Sequence, residues 1–173
     1  NNVLLEEISA FFYLKAFWTL FNRSETVHFL PATGCPNLPL LANLMLGWGL
    51  SFSVVLDDEP HGRKVFKELK ESQVCKEENL IKISGCPGVE DLFNKIDFTT
   101  IVLKSPKAKI GTKINSEYMK DEKLSKVLLA RDFMIEVNNG DIKIGDLSKD
   151  TKDRVEALLL EIVATLEVLP IPP

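Results

Sequence analysis

The sequence predicts an α/β fold: a mostly parallel central sheet flanked by helices, with a helical appendage at the C-terminal end. Three observations predict it. Up to Ile83, short apolar or β-branched runs alternate with segments of helical period, in the order β-α-β-α-β-α-β. Such alternation argues for a parallel sheet with helices on both faces and right-handed crossovers. After Ser84 that alternation stops. The composition of the 173 residues, 45% hydrophobic and 27% charged with 9 Gly and 9 Pro, is that of one ordinary domain. A chain of this length buries about two-thirds of its unfolded surface and needs no disulfide. Collagen, coiled coil and low-complexity disorder are excluded.

Val3-Leu4-Leu5 is the first strand, and it ends in Glu6-Glu7. Ser9 is placed to cap the next helix. Residues 10–21 are apolar nearly all round, with Phe11, Leu14, Trp18 and Phe21 on one stripe. That suits a helix lying on a sheet and covered by a further layer. Residues 26–30 are β-branched and aromatic, a second strand. Pro31-Ala32-Thr33-Gly34 is a turn. Leu38, Leu41, Leu44, Met45 and Trp48 recur at helical spacing, and Gly47 and Gly49 end that helix. Residues 52–56 form a third strand that runs into Asp57-Asp58-Glu59. Pro60 suits the first turn of a helix whose apolar face is Val65, Phe66 and Leu69. Residues 80–83 are a fourth strand. No acid, lysine or arginine lies between Glu25 and Asp57, yet Pro31, Gly34, Pro36, Pro39, Gly47 and Gly49 break the stretch, so no membrane-spanning helix fits.

Past Ser84, residues 85–88 are a loop and 89–93 one helical turn. Lys104, Lys107, Lys109 and Lys113 make a basic, mobile loop. Leu124, Val127, Leu128 and Met134 mark a helix that stops near Asn139-Gly140. Ser148 opens a last helix with Val155, Leu158, Leu159, Ile162 and Leu166 on one face, and Leu169-Pro170-Ile171-Pro172-Pro173 cannot continue it. The division is an α/β core at 1–114 and a helical segment at 115–173 packed on it. The start at Asn1-Asn2-Val3 reads as a piece of a longer protein.

The 25 acids and 21 bases give a net charge of -4, so a broad basic surface is excluded and any nucleic-acid contact is local or helped by cations. Cys35, Cys75 and Cys86 never form Cys-x-x-Cys and read as reduced cytoplasmic thiols. P-loop, Gly-x-Ser-x-Gly and His-Glu-x-x-His motifs are all missing from the sequence.

In an open α/β sheet, ligands bind beyond the carboxyl ends of the strands. Glu6-Glu7 follows strand one and Asp57-Asp58-Glu59 follows strand three, and a 2-1-3 strand order makes those ends neighbours. Gathered carboxylates repel unless a cation neutralises them, and Mg²⁺ or Mn²⁺ prefers such oxygen ligands. Glu90-Asp91, after strand four, can add to the same rim. A plainer reading is also open: Asp58 or Glu59 caps the helix at Pro60, and Glu7 favours the dipole of the first helix. Lys126 sits inside an apolar helical pattern, where a lysine near metals can stabilise phosphate charge.

These residues resemble a known family. Leu5-Glu6-Glu7-Ile8-Ser9-Ala10-Phe11-Phe12-Tyr13-Leu14 resembles the Val-Glu-Gly-x-x-Asp-x-x-Tyr-Leu opening of a topoisomerase-primase (TOPRIM) domain. Pro31-Ala32-Thr33-Gly34, Gly47-Trp48-Gly49 and Val55-Leu56-Asp57-Asp58-Glu59 with Gly62-Arg63 resemble the next segments. Val89-Glu90-Asp91-Leu92-Phe93 and Lys126-Val127-Leu128-Leu129-Ala130-Arg131 with Phe133 complete the set. Together the blocks resemble the Rossmann-like TOPRIM half of the OLD (overcoming lysogenisation defect) nucleases. The resemblance implies a Mg²⁺- or Mn²⁺-dependent endonuclease using two ions, acting on DNA in anti-phage defence. It implies metal ligands at Glu6, Asp57, Glu59, Glu90 and Asp91, with Lys126 joining Glu6, Asp57 and Glu59 in catalysis. It implies an upstream ATPase domain, homo-oligomers formed through that domain, a further defence-system protein as partner, and no membrane. Three positions depart from the pattern: Glu7 replaces Gly, Ala10 replaces Asp, and Glu59 replaces Asp. They leave a second reading, a catalytically weakened TOPRIM module that binds nucleic acid or a partner. A third, a receiver-like or flavodoxin-like signalling domain, rests on the paired acids and on Lys104 after Thr100-Ile101-Val102-Leu103.

Overall fold

All four strands read from the sequence form and pair in parallel in the computed structural model of the chain, which describes residues 1–168. They are β1 (Asn2–Leu5), β2 (His28–Pro31), β3 (Phe52–Asp57) and β4 (Leu80–Ile83), in the spatial order β2-β1-β3-β4. β2 starts two residues later than the sequence suggests. Leu5 is level with Pro31 on one side and Val55 on the other. Ile83 is level with Asp57. Everything that follows these strands therefore leaves from one end of the sheet.

Period-two alternation divides the strand side chains between two cores. Val3, Leu5, Val55, Ile81 and Ile83 face one side, and Leu4, Val54, Leu56 and Leu80 the other. The second side is covered by α2 (Leu38–Gly47) and α3 (Pro60–Glu71). The first is covered by α1 (Ile8–Leu20) and by the chain after β4. There a 3₁₀ turn (Val89–Leu92) precedes α4 (Lys95–Asp97), which runs on into a π-helical turn, Phe98–Val102. Next come α5 (Asn115–Asp121), a helix the sequence reading did not anticipate, then α6 (Lys126–Asn139) and α7 (Lys149–Val168). The residues at 169–173, where the sequence forbids a helix, lie outside the described residues. Among the described residues no helix is long and apolar enough to cross a membrane.

Aromatic packing joins α1 to α6. Tyr13 and Phe17 on α1 meet Phe133 on α6 at ring-centroid distances of 5.7 and 5.6 Å, and Phe93 meets Phe133 at 5.2 Å. Each such pair adds about 0.5–1.5 kcal/mol beyond its buried area. On α7 the predicted face, Val155, Leu158, Leu159, Ile162 and Leu166, is buried.

Other expectations need correction. Ser9 lies inside α1, and its hydroxyl donates to Glu7 Oε2 rather than capping the helix. The buried stripe of α1 is Ala10, Tyr13, Leu14 and Phe17, with Phe11 and Trp18 only half-buried. On α2, Leu44 and Trp48 are exposed while Leu38, Ala42 and Met45 are buried. On α6 the buried positions are Ala130, Phe133 and Val137, and Leu124, Val127 and Leu128 are exposed. The basic loop is pinned: Ile110 is buried, Lys104 pairs with Glu136, and Lys113 pairs with Asp121 at 2.6 Å. The run Thr100-Ile101-Val102-Leu103 is helical and Lys104 is held by Glu136, so Lys104 lends a receiver-like arrangement no support.

Candidate active site

Glu6 leaves β1 and Asp57 ends β3, two adjacent parallel strands. Both carboxylates are nine-tenths or more buried. The Glu6 backbone is fixed by the amide of Gly34, which donates to its carbonyl at 2.8 Å, and Glu6 Oε2 has no hydrogen-bond partner. Burial raises the Glu6 pKa, and the charge of Glu59 raises it further. Asp57 stands well above the usual carboxylate range, first through burial, then through Glu6, Glu90 and Glu7. These acids are therefore near neighbours that repel.

Two glycines make the crowding possible. A Cβ at Gly62, in the first turn of α3, would lie 2.2 Å from the carbonyl oxygen of Asp57 and 3.5 Å from Glu6 Oε2. A Cβ at Gly88 would lie 2.8 Å from Glu90 Oε1, so Glu90 folds back over a backbone that has no side chain there. The site reading from sequence assigned neither glycine a role. A glycine two residues before a buried acid, or directly before an arginine in a helix start, is too common a pattern to reveal such contacts.

Glu90 is almost wholly buried, and the 3₁₀ turn that carries it is locked from several sides. Asn115 Nδ2 donates to the carbonyls of Glu90 and Phe93 at 2.9 and 2.8 Å. Asp91 points the other way. Its Oδ2 accepts from the Gly88 amide at 3.1 Å and its Oδ1 from the Ser116 amide at 2.9 Å. The structure thus puts Asp57 within reach of the charges of Glu6 and Glu90, puts Glu6 within reach of the charge of Glu59, and gives both oxygens of Asp91 to backbone amides. Glu59 is at the N-cap of α3 without capping it through its side chain, and exposed His61 lies 3.9 Å from it. Asp58 faces elsewhere, held by the Gly85 amide at 3.2 Å and by Arg63 at 2.9 Å, which lower its pKa in that order.

Lys126 faces the acids. Ser125 caps α6 by accepting from the Leu128 amide, which sets Lys126 as the first helical residue. Its ammonium lies 2.8 Å from Glu90 Oε1, an atom with no other donor. Burial opposes the Lys126 charge, yet Glu90, Glu7 and Asp57 hold its pKa above the ordinary lysine range. Burial raises Glu90 in spite of this pair. Two further groups escaped the sequence reading. The Cys35 thiol hydrogen-bonds Glu6, with its pKa pushed up to about 12 by burial and then by that acid. The Tyr13 hydroxyl, wholly buried and unpartnered, feels the charge of Glu90.

The donor set suits a hard divalent ion: carboxylate oxygens, with Glu6 Oε2 unpartnered and the acids repelling. Among the described residues, no three His, Cys, Asp or Glu side chains are gathered tightly enough to hold a metal ion as they stand. All three cysteines are buried and free.

No protein-family model matches the chain, and no curated protein does. By structure it is similar to the C-terminal region of the Burkholderia pseudomallei OLD protein, with a TM-score of 0.60. The match covers 95% of this chain and 97% of that one. The chain has the fold of the OLD C-terminal region. At 15% identity the likeness is one of fold, and it agrees with the ordered motif blocks that resemble the TOPRIM half of OLD. In this OLD-type frame the acids sit where an open parallel sheet binds ligands, past the carboxyl ends of adjacent strands.

Proposed function

We propose that this chain is the metal-dependent nuclease domain of an OLD-type protein, hydrolysing phosphodiester bonds of DNA in defence against phage. Glu6, Asp57 and Glu59 would hold one Mg²⁺ or Mn²⁺ ion, and Glu90 with Asp91 would support a second. Divalent ions bound there supply Lewis acidity to phosphate oxygens and lower the pKa of water. The chain's own residues do the positioning. Glu6 and Asp57 offer oxygens from backbone fixed by the sheet. Lys126, at the start of α6, offers an ammonium that stays charged and can turn from Glu90 to a phosphate oxygen. Asp91 holds the turn that presents Glu90. An upstream ATPase domain, through which the protein forms homo-oligomers, and a further defence-system protein are the partners in this reading.

One observation carries the proposal. Two carboxylates are buried on adjacent strand ends, and Glu6 Oε2 has no hydrogen-bond partner in a place where an unpartnered oxygen is costly. A plasmid-cleavage assay with the full protein and Mg²⁺ or Mn²⁺ tests it. Glu6→Ala and Asp57→Ala should each lose about a thousandfold, near 4 kcal/mol of transition-state stabilisation. Cleavage at the wild-type rate by both variants would end the proposal. The second reading, a module that binds without cutting, is favoured by Ala10 and by the engagement of Lys126 with Glu90. It predicts metal-independent DNA or partner binding with no cleavage in the same assay.

A further inference from the structure

Beyond the carboxyl end of edge strand β4 lies a cavity of about 410 Å³, walled by Lys82, Ser84 and Gly85 on the sheet side and by Arg154 and Glu161 of α7. A smaller hollow shares Lys82, Ser84 and Glu161 with it and adds Arg63 of α3. The shared walls make one groove, and three cations line it in a chain whose net charge is -4. Arg154 donates through Nη1 to the carbonyl of Asp91 at 3.2 Å. That acceptor is neutral, so it aims the guanidinium without cancelling its charge. Arg63 and Lys82 share a single carboxylate, Asp58, at 2.9 and 3.6 Å, and two cations on one acid leave a positive excess.

The groove is tied by hydrogen bonds to the chain segments that carry the rim acids, though no rim acid lines it. The Asp58 amide donates to the Cys86 carbonyl at 3.0 Å, and the Gly85 amide donates to Asp58 Oδ2. Its lip is thus hydrogen-bonded to the residue that follows Asp57. Arg154 is tied to the residue that follows Glu90. Among the described residues, Glu161 is the one acid in the walls of the two hollows, against Arg63, Lys82 and Arg154.

We propose that this groove, lined by Arg63, Lys82 and Arg154, is the track along which a DNA phosphodiester backbone enters the carboxylate rim. The identity of the ligand rests on the nuclease reading, but binding in the groove does not require cleavage. The groove is a different place from the basic loop at 104–113, where Lys104 pairs with Glu136 and Lys113 with Asp121.

The test is binding of a fluorescein-labelled DNA duplex to the full protein, read by anisotropy over a salt series in Ca²⁺, with Mg²⁺-dependent cleavage followed in parallel. Each lost phosphate contact removes about 0.9 from the slope of log affinity against log salt. Lys82→Gln with Arg154→Gln should therefore flatten the slope by about 1.8, and Lys107→Gln with Lys109→Gln should leave it unchanged. Arg154→Lys keeps the charge and should keep the slope, which separates lost contacts from a damaged fold. Equal slopes for the wild type and the Lys82/Arg154 variant, both cleaving DNA, overturn the groove and leave the nuclease reading standing. Inorganic phosphate that binds the wild type but not that variant, with DNA binding unaltered, also overturns it, because the groove then takes only small anions. A wild-type protein that neither binds nor cuts DNA sinks both.

Discussion

Asp57, Glu6 and Glu90 each hold a proton more tightly in the folded chain than in the unfolded one, through burial and then, for Asp57, the charge of Glu6 and, for Glu6, the charge of Glu59. The sign of the linkage follows. Their contribution to stability is most favourable below the ordinary carboxylate range, near pH 4, and is lost as pH rises through the raised folded values. Metal-free protein is thus expected to melt higher at pH 5 than at pH 7. Asp57→Asn should flatten that profile and raise the pH 7 melting temperature, by about 2–4 °C for each kcal/mol of repulsion relieved. A lower melting point for Asp57→Asn at pH 7 would contradict stored repulsion. The two glycines give a contrasting pair. At Gly62 an added methyl meets the rigid carbonyl of Asp57, so Gly62→Ala should displace the start of α3 and cost about 2–4 kcal/mol in a denaturant melt. At Gly88 the methyl meets the movable end of Glu90. Gly88→Ala should fold nearly as well as wild type, yet lose cleavage because the Glu90 carboxylate is pushed from its place at the rim.

At the scale of elements, helix starts aim the site. Ser125→Ala removes the cap that fixes Lys126 and should cost about 1 kcal/mol, with a larger relative loss of cleavage. Ala10 faces the core one turn before Tyr13. Ala10→Asp should therefore lower the melting temperature of metal-free protein, since it places a carboxylate where water is excluded. The strands and the acids at their ends were legible because β1, β3 and β4 are largely apolar runs between turn signals, broken only at Ser53 and Lys82, while the place of β4 beside β3 had no local signal. The helix faces were less so. Along α1 and α2 almost every residue is apolar, so periodicity cannot say which side is covered. Trp48 matches the spacing of Leu38 and Met45 yet lies exposed. Glu90 and Asp91 are adjacent in sequence, and only the 3₁₀ turn decides that one faces the rim and the other caps the backbone. Tyr13, Cys35 and Gly88 join the site through contacts that span the chain, which no local pattern encodes.

For the whole molecule, one core runs from β1 through α1, Phe93, α6 and α7, so the C-terminal helices and the sheet share their packing. Strain at the rim is therefore carried by the entire domain and is readable in its global stability. A divalent ion that binds only the folded rim should add about 2.7 kcal/mol at a concentration 100 times its dissociation constant. Calorimetric titration of Mn²⁺ into the full protein and its Asp57→Asn variant is the most direct measurement of the central claim, that repelling acids at adjacent strand ends form a divalent-metal site. The account predicts saturable binding by the wild type and its loss in Asp57→Asn. No binding by the wild type at millimolar Mn²⁺, or equal binding by both proteins, would contradict it.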